Sequence, residues 1–318
     1  VGHEVLGFSA DSLMPRSRLW YGLHYRTGFR FLRAKVQSAL QKAVGKEKFD
    51  ILWVNSGEYT GPDTIKWAKS RGMRVVSYNN DDPFGGRDGM KWGNYFACLP
   101  HYDLTVVMRA FNVDEARRKG AKNVLRVFMS CDEVAHAPRQ LTPEIKHKWS
   151  SEVAFVGTWM PERGPFLAAL VQQGLPLSIW GGRWQKAPEW SILAPAWRGG
   201  PVIGDDYAYA LQCAKVNLGL LSKGNRDLHT QRTAEVPYLR AVLCAEDTTE
   251  HRTLFNHAED AYLFSGLEEA ATGLRRLLAD EALRGRVAVG GRSKVIAHGL
   301  TNEQVVRKIL TSVSSSAA

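Results

Sequence analysis

Residues 216–237 read VNLGLLSKGNRDLHTQRTAEVP, and their pattern decides the fold. The opening run Val216–Leu220 is short and apolar, as a buried strand requires, and helical periodicity resumes at Gln231–Arg240 after a polar loop. A helical segment, Asp205–Ala214, precedes the run, and a second short strand, Val242–Cys244, follows the helix. Strand, loop, helix and strand in succession form a βα series, which folds as a parallel sheet covered by helices.

The same alternation extends in both directions. Towards the N-terminus the predicted strands are Glu4–Phe8, Ile51–Val54, Arg74–Tyr78, Leu104–Val107 and Val124–Phe128, with helices at Phe29–Val44, Gly61–Ser70 and Val113–Lys119. A second series adds Val153–Val156, Leu177–Trp180 and Ala261–Phe264, with helices near Gly164–Gln173 and Thr249–Asn256. Three helices close the chain: Leu267–Ala279, Glu281–Ala297 and Asn302–Ser312. The expected class is therefore α/β, with two Rossmann-like doubly wound domains and C-terminal helices. Ala135–Ser151, polar, basic and carrying two prolines, reads as the linker between them. The expected division is 1–135, linker 136–151, second domain 152–300, and a last helix with its tail at 301–318. A length of 318 residues suits two domains of roughly 150 residues each. The chain opens at Val1-Gly2-His3-Glu4-Val5 without Met, so the first domain is expected to lack its first strand.

Composition narrows the partners. Lys and Arg number 42 against 32 Asp and Glu, a net charge of +10 that asks for an anionic ligand or surface. The four cysteines are widely spaced and form neither a metal-ligand pattern nor a disulfide framework, which points to a reducing, cytoplasmic setting. No apolar run approaches the ~20 residues of a membrane span.

Five stretches can carry chemistry. After Val153–Val156, Gly157, Thr158 and Arg163 stand at a strand-to-helix turn, where backbone N–H groups, a hydroxyl and a cation can meet a phosphate. In IWGGRW, Gly181 lets backbone approach a flat ring and Trp184 offers a face to stack on; a tight turn with a packed Trp gives the same residues. The loop after Val216–Leu220 collects Lys223, Arg226, His229, Thr230 and Arg232 near a helix start, a cradle for a diphosphate, with Glu235 one turn further on for ribose hydroxyls. In YNNDDPFGGR, Asp82 can orient or deprotonate an acceptor hydroxyl, although Asn-Asp-Pro-Gly is also ordinary turn chemistry. Finally, Ser12–Lys46 holds eight cations (Arg16, Arg18, Arg26, Arg30, Arg33, Lys35, Lys42 and Lys46) among aromatics and no acid. Such a segment can rest on an anionic membrane or hold an acidic acceptor.

Taken in order, these stretches resemble a known family. GHEV at Gly2–Val5, NDDP at Asn80–Pro83, the run Tyr102–Asp132, FVGTWMPERGPFL, IWGGRW, DDYAYALQCAKVNLGL, NRDLHTQRTAEVP and the run from Cys244 to Glu259 are similar to the CgeB-like (spore-maturation protein type) branch of group 1 glycosyltransferases. That resemblance implies a GT-B fold, two domains facing across a cleft, and transfer of a hexose from a nucleotide-diphosphate sugar without a metal or other cofactor. The second domain would hold the donor through Gly157, Thr158, Arg163, Gly181, Trp184, Arg226, His229, Thr230, Arg232 and Glu235, and the first would hold a glycan, lipid-linked or protein acceptor. In related retaining enzymes two glutamates are separated by seven residues; Glu235 matches the second, while the shorter Asp227 stands at the first, which leaves a retaining or inverting outcome open. Asp227 on the donor side and Asp82, as the group that aligns or deprotonates the acceptor hydroxyl, are the expected catalytic residues. The implied setting is cytoplasmic, with peripheral contact to the inner face of the plasma membrane through 12–46. A GT-B nucleotide-sugar epimerase and a non-catalytic binder of nucleic acid or membrane are the competing readings. Nucleic acid is the less favoured partner, since no recognition helix or aromatic stacking platform of known type is present.

Overall fold

A computed structural model of the chain describes residues 2–14 and 17–315. Val1 and Arg16, the latter a member of the basic run, lie outside the described residues. The chain divides into two compact units: one runs to Phe128 and adds Gly224–Arg226 and the residues from Val306, and the other holds Met129–Lys223 and Asp227–Val305.

The first unit carries four strands, β1 (Ile51–Asn55), β2 (Arg74–Asn79), β3 (Leu104–Val107) and β4 (Val124–Arg126), paired in parallel in the order of the chain. Its helices are α1 (Arg18–Arg26), α2 (Arg33–Val44), α3 (Pro62–Ser70), α4 (Gly93–Cys98) and α5 (Ala110–Arg118). Parallel neighbours need a crossover, and α3 and α5 supply it between β1 and β2 and between β3 and β4. Val54, Ile65, Ala68, Val75 and Ala116 bury against one another as the core.

The second unit contains β5 (Ser151–Val156), β6 (Leu177–Trp180), β7 (Trp197–Gly199), β8 (Ala214–Gly219), β9 (Leu243–Glu246) and β10 (Tyr262–Phe264), in the spatial order β10-β9-β8-β5-β6-β7, all parallel. Its helices are α6 (Pro143–Trp149), α7 (Arg163–Gln172), α8 (Trp190–Leu193), α9 (Gly204–Gln212), α10 (Arg232–Tyr238), α11 (Thr249–Leu254), α12 (Leu267–Ala279) and α13 (Glu281–Ala297); the last helix, α14 (Asn302–Ser315), begins in this unit and from Val306 is counted with the first. In α12, Ala270, Ala271, Leu274 and Leu277 recur at helical spacing and bury against the sheet core of Val153, Phe155, Val216 and Phe264. Asp280 then ends α12 and starts α13, its Oδ1 accepting the Leu283 N–H at 2.8 Å. The chain winds outward through β5, β6 and β7, then returns to lay β8 against β5. That reversal of strand order is where ligands bind in open α/β sheets, at the carboxyl ends of the strands.

Several expectations are corrected. Glu4–Phe8 is not a strand: it pairs with no neighbour, and Val5 is exposed. The predicted helix Phe29–Val44 starts at Arg33, because Phe29 takes a left-handed conformation (φ 56°) ahead of a 3-10 turn. The segment read as a linker contains α6, capped by Thr142, whose Oγ1 accepts the Ile145 N–H at 3.3 Å, with Pro143 at the first helical position. Both prolines had suggested a linker; one of them starts a helix. The division between units falls at Phe128/Met129, earlier than Ala135. Met129–Cys131 is tied into the second unit by Met129 N–H to His229 Nε2 (2.9 Å), Ser130 Oγ to Asn302 Oδ1 (2.7 Å) and Cys131 N–H to Leu300 O (3.0 Å).

Candidate functional site

The β5 and β8 ends in the second unit bring together most of the expected residues and sort them into two groups. One group fixes the loops. Gly157 N–H donates to Trp180 O at 2.9 Å, and Gly157 O accepts the Trp184 indole N–H at 2.8 Å. Trp184 is therefore a buried packing residue set edge-on to Phe155, and it offers no open face for a ring to stack on. Gly181 has φ +147°, and a Cβ there would lie 2.0 Å from Gly157 O, so no other residue fits between the β5 and β6 turns. Gly181→Ala should lower unfolding stability by roughly 3 kcal/mol, read as a shifted urea midpoint.

The cations after β8 do not converge as the spacing suggests. Lys223 bonds Glu246 through Nζ, and its N–H donates to Glu162 Oε1 at 2.9 Å. His229 is buried between Glu250, bonded to Nδ1, and Met129 N–H, accepted by Nε2, so both ring nitrogens are engaged. Arg226 belongs to the first unit. There its Nε meets Asp82 Oδ2 at 2.5 Å, its terminal nitrogens meet Asp82 Oδ1 and both Glu115 oxygens at 2.9 to 3.0 Å, and its guanidinium lies 4.4 Å from the Phe111 ring centroid. Asp82 also accepts from Asn112 Nδ2 (3.0 Å) and Phe84 N–H (3.2 Å), so it is an engaged structural carboxylate and not a base open to an acceptor.

Among the described residues, Arg163 and Arg232 make no ion pair with a carboxylate, although Glu162, Asp227 and Glu246 lie near enough to act on the charge of Arg163. Arg163, at the start of α7, donates to Thr158 O (3.1 Å) and Leu220 O (3.2 Å), while its buried Nε has no partner. Arg232, at the start of α10, donates through Nε to Val156 O at 3.0 Å. Burial lowers the Arg163 pKa, and the nearby charge of Arg232 lowers it further. Both side chains stand just past the carboxyl ends of β5 and β8, near enough that each charge acts on the other. A pocket of about 260 Å³ adjoins Arg163, lined by Glu162, Phe166, Lys223, Glu246 and Phe264.

Glu235 sits one turn into α10, buried, with Oε2 accepting the Tyr207 hydroxyl and Oε1 3.6 Å from His136 Nε2. The Tyr207 pKa is raised, chiefly by burial, so Tyr207 stays a donor. His136 and Tyr207 went unnoticed in the sequence, because they stand 99 and 28 residues from Glu235 and form no local pattern. Asp227 is buried, donates its N–H to Ser222 O at 3.2 Å, and adds a favourable charge near Arg163. Thr230 N–H donates to Thr233 Oγ1 (3.0 Å), and Thr233 Oγ1 lies 2.9 Å from His251 Nε2. Among the described residues no three His, Cys, Asp or Glu side chains are grouped to hold a metal ion.

The same His251 makes the site acid-sensitive. Its Nδ1–H donates to Glu246 O at 2.6 Å, its Nε2 faces the Thr233 hydroxyl, and burial lowers its pKa from the ordinary 6.5, helped by the nearby His229. A base with a depressed folded-state pKa contributes stability that is full above about 6.5 and is lost as pH falls through the folded value. Thermal midpoints should therefore drop between pH 7 and pH 5, and His251→Gln should flatten that slope.

Residues 163–311 match the family model described as Glycosyl transferase-like. No curated protein matches the chain in sequence. Among solved structures, sucrose-phosphate synthase from Thermosynechococcus elongatus is 13% identical with a TM-score of 0.66, over 90% of this chain and 78% of that one. Anabaena HepE in complex with UDP is 10% identical (TM-score 0.62; 88% and 82% covered). A UDP-forming α,α-trehalose-phosphate synthase from Burkholderia xenovorans is 12% identical (TM-score 0.63; 97% and 82% covered). These likenesses establish the fold: two parallel α/β sheets with flanking helices, as in GT-B glycosyltransferases.

Proposed function

We infer that the chain is a glycosyltransferase, moving a sugar from a nucleotide-diphosphate donor to an acceptor hydroxyl, and that it belongs to the CgeB-like branch its motif order resembles. One observation carries the reading: among the described residues, Arg163 and Arg232 form no ion pair with a carboxylate, unlike Lys223, Arg226 and His229, and they stand at the switch in strand order, beside Gly157 and Thr158. In glycosyl transfer the bond between the anomeric carbon and the diphosphate oxygen breaks, and its electron pair leaves on the diphosphate. The acceptor oxygen bonds that carbon, and its proton passes to the departing diphosphate oxygen. Two guanidiniums in fixed positions stabilise the charge as it gathers on the leaving group.

Glu235, oriented by Tyr207 and His136, accepts two ribose hydroxyls. Thr158 and Thr230 offer hydroxyls to the phosphates, and Asp227 faces the sugar from the donor side. Gly181, Trp184 and His229 support this arrangement by holding the loops. The acceptor belongs to the first domain and is a glycan, a lipid-linked sugar or a protein.

The test is proton NMR of UDP-, GDP-, ADP-, CMP- and dTDP-linked sugars incubated with the protein. Release of the nucleotide from one donor, by transfer or slow hydrolysis, is expected. Inversion of a sugar carbon without release identifies an epimerase, and no change in any donor overturns the reading.

A further inference from the structure

We propose that α1 and the turn that follows it form a docking face for an anionic lipid surface. Helix α1 buries none of its residues. Its tyrosines hold it to the unit: the Tyr21 and Tyr25 rings meet the fully buried Phe29 edge-on at 5.9 and 6.2 Å. Other large apolar side chains of the same segment stand in the open, with Leu19 86%, Trp20 59%, Leu23 46% and Phe31 61% exposed. Positions 19, 20 and 23 share one side of a helix. Leaving four large apolar groups in water has a cost that packing into an acyl boundary removes.

The charge around these groups selects the partner. Arg18, Arg26, Arg30 and Lys35 are exposed in the same segment, and the Arg30 guanidinium lies 4.7 Å from the Phe31 ring centroid. From Ser12 to Lys46 there is no Asp or Glu. Among the described residues, acids that approach from outside this run include Asp88, which bonds Arg87 and Trp92, and Glu58 and Asp11 near Tyr59. A Trp and two Leu framed by arginines match a headgroup layer above hydrocarbon, where indole and guanidinium take the polar side and Leu the apolar one. A second copy of the chain fits poorly, because a two-fold interface would set these arginines against themselves. Nucleic acid would use the cations but leave Leu19 and Leu23 without a partner.

The experiment is co-sedimentation of the full chain with vesicles of phosphatidylcholine alone and of phosphatidylcholine mixed equally with phosphatidylglycerol. The expected result is binding to the anionic vesicles at least tenfold tighter than to the neutral ones, weakening as salt is raised. Arg18→Gln, Arg26→Gln and Arg30→Gln together should lower it roughly a hundredfold. Leu19→Asp with Leu23→Asp should abolish it, while the thermal midpoint and nucleotide release stay as in the parent. Equal binding to both vesicle types, or unchanged binding by these variants, overturns the proposal. So does a concentration-dependent dimer, or retention on DNA or RNA, in protein that ignores the vesicles.

Discussion

Arg232→Ala will bind its nucleoside diphosphate about 10- to 100-fold more weakly than the parent protein, the loss of one charge-assisted contact. The side chain starts α10 and is held by one hydrogen bond, Nε to Val156 O at 3.0 Å, with its guanidinium 5.7 Å from the Tyr207 ring centroid, so the fold loses little when it is removed. Turnover should fall further than affinity, by roughly 10² to 10³, because the diphosphate carries more charge at the transition state than in the bound donor. Arg232→Lys keeps the charge but loses the planar fork, and should recover part of the binding. Arg163→Met repeats the effect from the other strand end. It also removes the bonds to Thr158 O and Leu220 O, so a stability loss of about 1–2 kcal/mol should accompany it. Calorimetric titration and steady-state rates measure both effects; an affinity unchanged in Arg232→Ala would remove the cation pair from the donor site.

Arg226→Ala should behave in the opposite way, with stability lost and nucleotide affinity kept within about twofold. Asp82 has a side chain with no exposure, and Arg226 supplies two of its bonds. Removing the arginine strands that carboxylate, an event that costs about 3–5 kcal/mol at a fully buried pair. The Arg226 side chain is 38% exposed, so water relieves part of the penalty, and about 2–3 kcal/mol is the expected loss. Asp82→Asn, which keeps the shape and a neutral acceptor, should fall between the two proteins. Urea midpoints and nucleotide titrations separate the outcomes. A stable Arg226→Ala protein with weakened nucleotide binding would return Arg226 to the donor set.

Much of the scaffold was written locally. Leu104–Val107 and Leu177–Trp180 are bounded as the apolar runs predict, and α12 and α13 begin and end where Gly266 and Asp280 punctuate the helical period. Short or edge elements were harder to read. β7 has three residues, too few to show a period, and no predicted strand covers it, while Glu4–Phe8 has strand composition and no neighbour to pair with. Side-chain partners were least legible, because tertiary structure chooses them. Lys223, Arg226, His229 and Arg232 lie within ten residues, yet the first three are claimed by Glu246, by Asp82 with Glu115, and by Glu250. A count of cations in a loop overstates an anion site for that reason, and only a fold tells a paired cation from an open one. Burial sorted Trp184 in the same way, turning an expected stacking face into a wedge between two turns.

The most direct measurement of the central claim is a thermal-denaturation series with UDP, GDP, ADP, CMP and dTDP, run on the parent protein and on Arg163→Met/Arg232→Met. One nucleotide should stabilise the parent, by about 2.7 kcal/mol at a hundred times its Kd, and should fail to shift the double variant. A parent protein indifferent to every nucleotide, or a double variant stabilised as much as the parent, would contradict the claim that these two arginines hold the donor's diphosphate.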